Sequence, residues 1–321
     1  MRTLRRALLG LLGLILLAFG AFCAWNWAPD RSVESLAARW APPPSAFVAI
    51  DGVRAHVRDE GRRDDPEPLV LLHGTSASLH TWDGWVRALE GSRRVIRVDM
   101  PGFGLTGPAA DGDYRIEAYV RFVEALLDHY GLRHCVLVGN SFGGRVAWET
   151  ALADAGRVRA LILVDSAGYA IRSQAVPIGF RLAKLPVVNR LLANVTPRAL
   201  IEASVKNVYG DPTKVTPELV DRYYELTLRA GNRGSLVQRF EQAPAGPDEA
   251  RIREIAVPTL ILWGGRDRLI PAEYGGLFER DIRGSRLVVF PALGHVPHEE
   301  DPAATVAAVE VFLATLPPPD A

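Results

Sequence analysis

Short apolar runs rich in β-forming residues recur along most of this chain, with helical patterns between them. The runs occupy residues 69–72, 95–98, 135–138, 160–164, 259–263 and 286–290. Continuously apolar strands that alternate with helices are typical of a parallel sheet covered by helices on both faces. The pattern therefore predicts an α/β fold built on a mostly parallel sheet.

Two departures from this alternation organise the rest of the fold. Residues 47–50 and 54–58 flank Asp51-Gly52, a turn pair that favours an antiparallel hairpin at the leading edge of the sheet. Between residues 169 and 252 only amphipathic helical patterns occur, such as 178–192 and 217–229. We expect 169–252 to be a helical lid, inserted after the sixth strand and covering the carboxyl edge of the sheet. The core then comprises residues 46–168 and 253–321.

The amino end predicts contact with a membrane. Arg2, Arg5 and Arg6 precede an uncharged run at 7–25, close to the ~20 residues that span a bilayer as a helix. Trp25 and Trp27 at its far end suit a membrane interface. We expect residues 1–28 to be an uncleaved anchor, with the N-terminus in the cytoplasm and the rest outside it, and 29–45 to be a linker.

A cleaved signal peptide is the alternative for this segment. Its cleavage site would be Ala18-Phe19-Gly20, and its product would be secreted. The apolar run continues past that site, which favours the anchor.

Charge and spacing exclude several classes of function. Lys plus Arg and Asp plus Glu both number 37, so the chain has no excess of positive charge for a nucleic-acid backbone. The histidines at 56, 80, 129 and 134 lack metal-ligand spacing, and Gly264-Gly265 is not followed by the Lys-Ser of a phosphate loop. We expect no nucleic-acid partner, no metal and no cofactor, and the sequence predicts no particular oligomeric state.

One motif points to chemistry. Gly139-Asn140-Ser141-Phe142-Gly143 follows the apolar run at 135–138 and precedes a helical pattern at 144–155. In this context G-x-S-x-G is a nucleophile elbow, in which a sharp strand-to-helix turn exposes the serine. Gly139 and Gly143 let the strand and the helix approach without a Cβ clash.

Together with other segments, this motif resembles the α/β-hydrolase superfamily over about residues 47–316. The segments are His73-Gly74 after an early strand, the DMPGFG sequence from Asp99, WGGRDRLIP with Asp267, and GHVPHEEDP with His295. They occur in the order nucleophile, acid, histidine. Within the superfamily the chain looks like the lidded branch that holds esterases, cofactor-free perhydrolases and carbon-carbon bond hydrolases.

The resemblance implies a Ser-Asp-His triad. Ser141 needs a base to take its proton, and His295 matches the family's histidine, with His298 as the nearest alternative. Asp267 would orient the imidazole and offset its charge, although Asp165 also follows a strand end and is an alternative acid.

The same resemblance implies an oxyanion hole. Its donors would be the backbone N–H groups of Phe142 and Thr75. We expect His73 to brace this loop without a catalytic role, and Ser76 to serve the turn.

The sequence thus predicts a membrane-tethered serine hydrolase that cleaves a carboxylic ester or related small acyl substrate through an acyl-enzyme. The first alternative is hydrolysis of a carbon-carbon bond in a ring-cleavage diketone. Asn140 before the serine is similar to the carbon-carbon bond hydrolases, but their glycine-rich oxyanion loop is replaced here by Gly74-Thr75-Ser76-Ala77. The second is a non-catalytic binding protein on the same fold. Ser141 excludes the dehalogenases and epoxide hydrolases of this fold, whose nucleophile is aspartate.

Overall fold

A computed structural model describes residues 2–170, 172–183, 185, 194–243 and 249–317. In that part of the chain eight strands form one sheet, in the order β1-β2-β4-β3-β5-β6-β7-β8. The strands are β1 (Ala46–Ile50), β2 (Val53–Gly61), β3 (Leu69–Leu72), β4 (Arg94–Val98), β5 (Cys135–Asn140), β6 (Val158–Val164), β7 (Thr259–Gly264) and β8 (Arg286–Phe290). β2 pairs antiparallel with β1 and β4, and all other pairs are parallel. The hairpin and the mostly parallel sheet are confirmed.

The described residues also form α-helices. They are α1 (Arg2–Trp25), α2 (Val33–Trp40), α3 (Asp83–Leu89), α4 (Ile116–His129), α5 (Phe142–Ala153), α6 (Ile178–Ala183), α7 (Arg198–Val208), α8 (Pro217–Thr227), α9 (Asn232–Gln242), α10 (Glu273–Asp281), α11 (Pro297–Glu300) and α12 (Pro302–Leu313).

The two faces of the sheet bury separate apolar layers. Along β3, Leu69 and Leu71 join one layer with residues of α3 and α12, whereas Val70 and Leu72 join the other with residues of α4, α5 and α10. This division follows from the strand itself, because successive side chains point to opposite faces. The prediction of helices on both faces is confirmed.

Helices α6 to α9 lie in the chain between β6 and β7. The pattern at 217–229 forms α8, which begins at Pro217 with the Thr216 side chain accepting a hydrogen bond from the backbone N–H of Leu219. Only the start of the pattern at 178–192 is described, as α6, since residues 184 and 186–193 lie outside the described part of the chain.

Helix α1 is long and apolar enough to cross a membrane. Residues Leu4–Trp25 have a mean hydropathy of 2.5, and none of that apolar window is buried against the rest of the protein. A cleaved signal sequence has the same properties. The structure therefore agrees with the sequence that this segment is a candidate membrane span, and it adds that the apolar window is not buried against the domain.

The residues after α1, which we call the connecting segment (residues 26–40), are bound to the helices between β6 and β7. Trp27 forms an antiparallel bridge with Val195, and the backbone N–H of Ala28 donates to the carbonyl of Asn194 over 2.8 Å. Arg233 of α9 donates to the carbonyl of Ala28 and pairs with Asp30 at 2.6 Å.

Helix α2 continues this contact. Its Leu36 is buried with Leu105 and with Leu226 of α8. Trp40 donates from its indole nitrogen to Glu225 over 2.6 Å. The connecting segment is therefore packed on α8 and α9 along most of its length.

Candidate active site

The carboxyl edge of the sheet brings the sequence-predicted side chains to one place. Ser141 follows β5, Asp165 follows β6, Asp267 follows β7 and His295 follows β8. The ends of adjacent parallel strands share one edge, which is where ligands bind in α/β folds.

Ser141 occupies a strained turn between β5 and α5. Its backbone has φ 53° and ψ −117°, in a region that residues other than glycine rarely adopt. Two hydrogen bonds hold that conformation. The N–H of Ser141 donates to the carbonyl of Val164 (3.0 Å), and the carbonyl of Ser141 accepts from the N–H of Ala167 (2.9 Å). The strain fixes the direction in which the hydroxyl leaves the sheet.

The glycines on either side of this turn stand where no side chain fits. A Cβ at Gly139 would overlap the backbone of Gly143, and a Cβ at Gly143 would overlap the carbonyls of Leu72 and His73. Strand β5, helix α5 and the end of β3 therefore approach one another at backbone distance.

His295 is hydrogen bonded to Asp267. Its Nδ1 lies 2.6 Å from Oδ2 of Asp267, and both side chains are almost fully buried. The other carboxylate oxygen, Oδ1, accepts from the backbone N–H groups of Leu269 (2.8 Å) and Ile270 (3.0 Å). With Nδ1–H donating to a carboxylate, Nε2 of His295 keeps its lone pair and can accept a proton.

Several contacts hold the backbone of His295. Nδ2 of Asn140 donates to the carbonyls of His295 (3.0 Å) and Val164 (3.1 Å). The carboxylate of Glu300 accepts from the N–H of Gly294 over 2.8 Å, and the N–H of His295 donates to the carbonyl of Val208 over 2.7 Å. The roles of Glu300 and Val208 have no sequence signal, because each depends on a contact between distant segments.

Among the described residues no hydrogen bond joins Oγ of Ser141 to His295. Such bonds are often long in proteins without substrate and tighten when it binds. Asn140 precedes Ser141 and donates to the carbonyl of His295, so the backbones of Ser141 and His295 are linked through the Asn140 side chain.

Asp165, the alternative acid, has a different environment from Asp267. Its Oδ1 accepts from the N–H of Gly264 over 2.9 Å, while Oδ2 is buried without a hydrogen-bond partner in the described part of the chain. Burial and the neighbouring Asp267 carboxylate raise the pKa of Asp165 well above its usual range. Asp165 therefore favours its protonated form more than a free aspartate does, and Asp267 is the carboxyl group that bonds His295.

Asp165, Asp267 and His295 are also close enough to share an ion. Their ligand atoms lie within 4.8 Å of one another. However, Nδ1 of His295 and Oδ2 of Asp267 are engaged with each other at 2.6 Å, so a metal ion would have to replace the proton between them. The geometry fits a proton-holding pair better than a metal site.

The loop after β3 passes beside Ser141. A Cβ at Gly74 would lie 2.8 Å from Oδ1 of Asn140 and 3.2 Å from Cβ of Ser141. His73 braces the loop, since its Nε2 accepts from the N–H of Met100 (3.0 Å) while Nδ1 donates to the carbonyl of Gly74 (2.7 Å).

Two backbone N–H groups near Ser141 remain available. The N–H of Thr75 has no acceptor among the described contacts. Phe142 is the first residue of α5, where the N–H has no acceptor within its own helix. Ser76, which follows Thr75, has φ 59°, as a turn residue would.

His298, the alternative base, lies outside this arrangement. It is fully buried, its Nε2 lies 3.1 Å from Oγ1 of Thr81, and its ring packs on Trp82 at 4.1 Å. Burial lowers the pKa of His298 well below its usual value. No described carboxylate pairs with it, so it has the environment of a packed core histidine.

A mostly apolar cavity of about 180 Å³ adjoins the loop at Thr75. Helices α6 to α9 supply most of its walls, and the walls include Thr75, Ser76, Phe180, Leu200, Val208 and Leu236. A site with backbone donors at one end and an apolar cavity beside it suits a substrate that carries a hydrocarbon part.

Comparisons with known proteins agree with the fold. Residues 67–302 match the family described as the alpha/beta hydrolase fold. A 2-hydroxymuconate semialdehyde hydrolase from Pseudomonas sp. (strain CF600) is 31% identical over 277 residues, which cover 83% of this chain and 93% of the relative.

Solved structures show the same fold. A thermophilic esterase from Thermogutta terrifontis superposes with a TM-score of 0.69 at 26% identity, covering 85% of this chain and 97% of the esterase. A membrane phospholipase A superposes with a TM-score of 0.71 at 24% identity, covering 97% of this chain and 99% of the phospholipase.

Proposed function

This chain belongs to the α/β-hydrolase family and is a hydrolase by that membership, and from this premise we propose that it is a membrane-tethered serine hydrolase of carboxylic esters or related acyl compounds. The observation that carries the proposal is the 2.6 Å bond between His295 and Asp267 beside the strained turn of Ser141. A serine hydroxyl is a weak nucleophile, and a histidine oriented by a carboxylate is the group that activates it.

The reaction proceeds in two stages. Oγ of Ser141 attacks the ester carbonyl while Nε2 of His295 takes its proton, and the N–H groups of Phe142 and Thr75 stabilise the oxyanion. The alcohol then leaves with the proton from His295, and the acyl group stays on Ser141. A water molecule attacks this acyl-enzyme, His295 takes a proton from the water, and the carboxylic acid departs as Ser141 recovers its hydrogen.

We assign the lid to residues 169–252. The cavity between the described helices of this segment and the Thr75 loop supports that assignment. Val208 accepts a hydrogen bond from His295, so this segment also contacts the proposed base. A hydrocarbon part of the substrate would occupy the cavity while the carbonyl lies at Ser141.

The tether rests on helix α1 and on charge. Arg2, Arg5 and Arg6 precede the apolar stretch, which by the positive-inside rule puts the N-terminus in the cytoplasm and the hydrolase domain outside it. The connecting segment then holds the domain at the membrane through its contacts with α8 and α9.

Carbon-carbon bond hydrolysis is a second candidate, favoured by the similarity to the 2-hydroxymuconate semialdehyde hydrolase. The same Ser141, Asp267 and His295 would act on a ring-cleavage diketone. The Gly74-Thr75-Ser76-Ala77 loop argues for esters, since it lacks the glycine-rich sequence expected of that branch.

One experiment tests the proposal and separates the two candidates. The purified full chain in detergent is labelled with a fluorophosphonate, and its kcat/KM is measured for esters of increasing acyl length and for a ring-cleavage diketone. Labelling at Ser141 with ester turnover is expected. Turnover of the diketone alone would select the second candidate, and absence of both labelling and turnover would overturn the serine mechanism.

A further inference from the structure

Arg239 of α9 lies against both residues of the proposed oxyanion hole. Its Nη2 donates to Oγ1 of Thr75 over 2.5 Å, and its guanidinium carbon lies 3.9 Å from the centre of the Phe142 ring. A positive charge is therefore held next to the point where the scissile carbonyl would lie.

No described carboxylate forms an ion pair with this guanidinium. Nε of Arg239 is buried without a hydrogen-bond acceptor among the described residues. The nearby Arg145 adds a second positive charge, although it has its own partner in Glu149 at 3.7 Å. Burial lowers the pKa of Arg239 to about 10, so the group stays charged at neutral pH.

Other arginines of the same helices are paired. Arg222 of α8 forms an ion pair with Glu299, and Arg233 of α9 forms one with Asp30. A charge that is desolvated without a counter-charge is costly unless something else compensates it. The missing anion at Arg239 is accounted for if the substrate brings it.

We propose that Arg239 binds an anionic group of the substrate, a carboxylate or a phosphate, close to the ester that Ser141 attacks. The inference rests on the proposed function, because it places the anion relative to Ser141. The planar guanidinium fork suits either anion. Leu236 lies one helical turn before Arg239 and lines the apolar cavity, so the substrate class is an amphiphilic ester with an anionic group and a hydrocarbon arm.

A purely structural role for Arg239 makes a different prediction. If the guanidinium only braces the loop at Thr75, its loss would slow neutral and anionic esters equally. If it binds a substrate anion, its loss would act on anionic esters and mainly on their KM. The ratio of kcat/KM between matched anionic and neutral esters therefore separates the two roles.

The test uses four esters with the full chain in detergent. Phenyl butanoate is the neutral reference, 3-carboxyphenyl and 3-(phosphonooxy)phenyl butanoate place the two anions in the alcohol part, and phenyl hydrogen hexanedioate places a carboxylate in the acyl part. We expect at least one anionic ester to be preferred, which identifies the anion and its side. Arg239→Met should lower that ester's anionic-to-neutral ratio by about 10- to 100-fold, the range for losing a charged hydrogen bond.

Two controls keep the outcome specific. Arg229→Met removes another partly buried arginine between α8 and α9 whose Nη2 bonds the carbonyl of Thr106, and it should not change the ratio. Arg239→Lys should give an intermediate ratio. An unchanged ratio in Arg239→Met, or no anionic preference in the natural chain, would overturn the proposal.

The failure of this inference differs from the failure of the proposed function. If the natural chain is labelled by the fluorophosphonate and hydrolyses phenyl butanoate, but Arg239→Met leaves the anionic-to-neutral kcat/KM ratio unchanged, only the role of Arg239 is refuted. No labelling and no ester turnover would remove the serine hydrolase itself.

Discussion

Asn140 donates a hydrogen bond from Nδ2 to the backbone carbonyl of His295 over 3.0 Å, and the same amide nitrogen reaches the carbonyl of Val164 at 3.1 Å. The residue before the proposed nucleophile therefore holds the backbone of the proposed base. Relative placement of the two groups is fixed by one buried side chain on β5.

Replacing that side chain should damage both stability and turnover. Asn140→Ala leaves the carbonyl of His295 without a described partner, at about 1–3 kcal/mol. It also removes one of two hydrogen bonds to the carbonyl of Val164, which keeps the N–H of Ser141, at about 0.5–1.5 kcal/mol, so the free energy of unfolding should fall by about 1.5–4.5 kcal/mol. Urea unfolding measures this loss, and kcat should fall with it because His295 is less well placed. Asn207→Ala, which removes one bond to the carbonyl of Ala175, is the matched control and should cost less. Equal stability losses in the two variants would contradict the proposed role of Asn140 in holding the backbone of His295.

The sheet and the elbow motif were readable from sequence because each is a local pattern. Most strands contain a short, mainly apolar run that could be recognised without neighbours, as at Leu69–Leu72, and Ser141 follows the run that became β5. The resemblance favours Asp267 as the acid, but the residues alone do not decide the choice between Asp267 and Asp165, since both follow strand ends. It depends on which carboxylate meets His295, and that is a matter of loop geometry.

Contacts between distant segments were also invisible in the sequence. The pairing of Trp27 with Val195 uses backbone groups, which leave no residue signature. Arg239 looks like any arginine on an amphipathic helix, and only its position against Thr75 and Phe142 distinguishes it.

Ser141→Ala and His295→Ala should each be inactive and folded. Ser141→Ala deletes the oxygen that forms the acyl intermediate, and His295→Ala deletes the base, so kcat should fall by up to about 10⁶-fold in either. Because the two groups act as a unit, the double variant should be no slower than the worse single variant. Ester hydrolysis gives the rates and circular dichroism checks the fold. Substantial activity in folded Ser141→Ala would refute the mechanism.

The two aspartates should differ in their effect on catalysis. Asp267→Asn removes the carboxylate that orients His295, and kcat should fall by up to about 10⁴-fold. Asp165→Asn keeps a neutral side chain that can still accept from the N–H of Gly264, so its kcat should change far less. Steady-state kinetics of both variants on one ester decides the assignment. The reverse order of damage would make Asp165 the acid.

Asp165 should also make stability depend on pH. Its folded pKa is raised above the value of 3.8 that a free side chain has, so the folded protein keeps a proton that the unfolded chain loses as pH rises. Stability that this group contributes is present below pH 3.8 and is lost as pH rises towards the folded pKa. Asp165→Asn removes this dependence, so its unfolding temperature relative to that of the natural chain should rise as pH increases above 3.8.

An aspartate with the opposite shift is the control for that series. A hydrogen bond from Arg280 lowers the pKa of Asp281 to about 2. Asp281 therefore stabilises the fold above its unfolded pKa, and this contribution is lost as pH falls towards 2. The stability deficit of Asp281→Asn should be largest above about pH 4 and should shrink in acid. Parallel pH trends in the two variants would contradict the raised pKa of Asp165.

The extent of the anchor should be measurable by truncation. A chain that starts at Asn26 loses only α1 and keeps the bridge of Trp27 to Val195, so it should be soluble without detergent and should retain its ester kcat/KM. A chain that starts at Arg31 also loses the contacts of Ala28 and Asp30 with Asn194 and Arg233. At about 0.5–1.5 kcal/mol for each net hydrogen bond, its free energy of unfolding should be lower by about 2–4 kcal/mol.

N-terminal sequencing of natural protein from the membrane fraction decides between an anchor and a cleaved signal. An anchor gives a start at Met1 or Arg2, because α1 must stay attached to hold the domain at the bilayer. A signal peptide gives a start near Ala21 and protein in the soluble fraction, and that result would refute the tether. The hydrolase would be unaffected by either outcome, since cleavage there leaves residues 26–40 bound to α8 and α9 and Ser141, Asp267 and His295 in place.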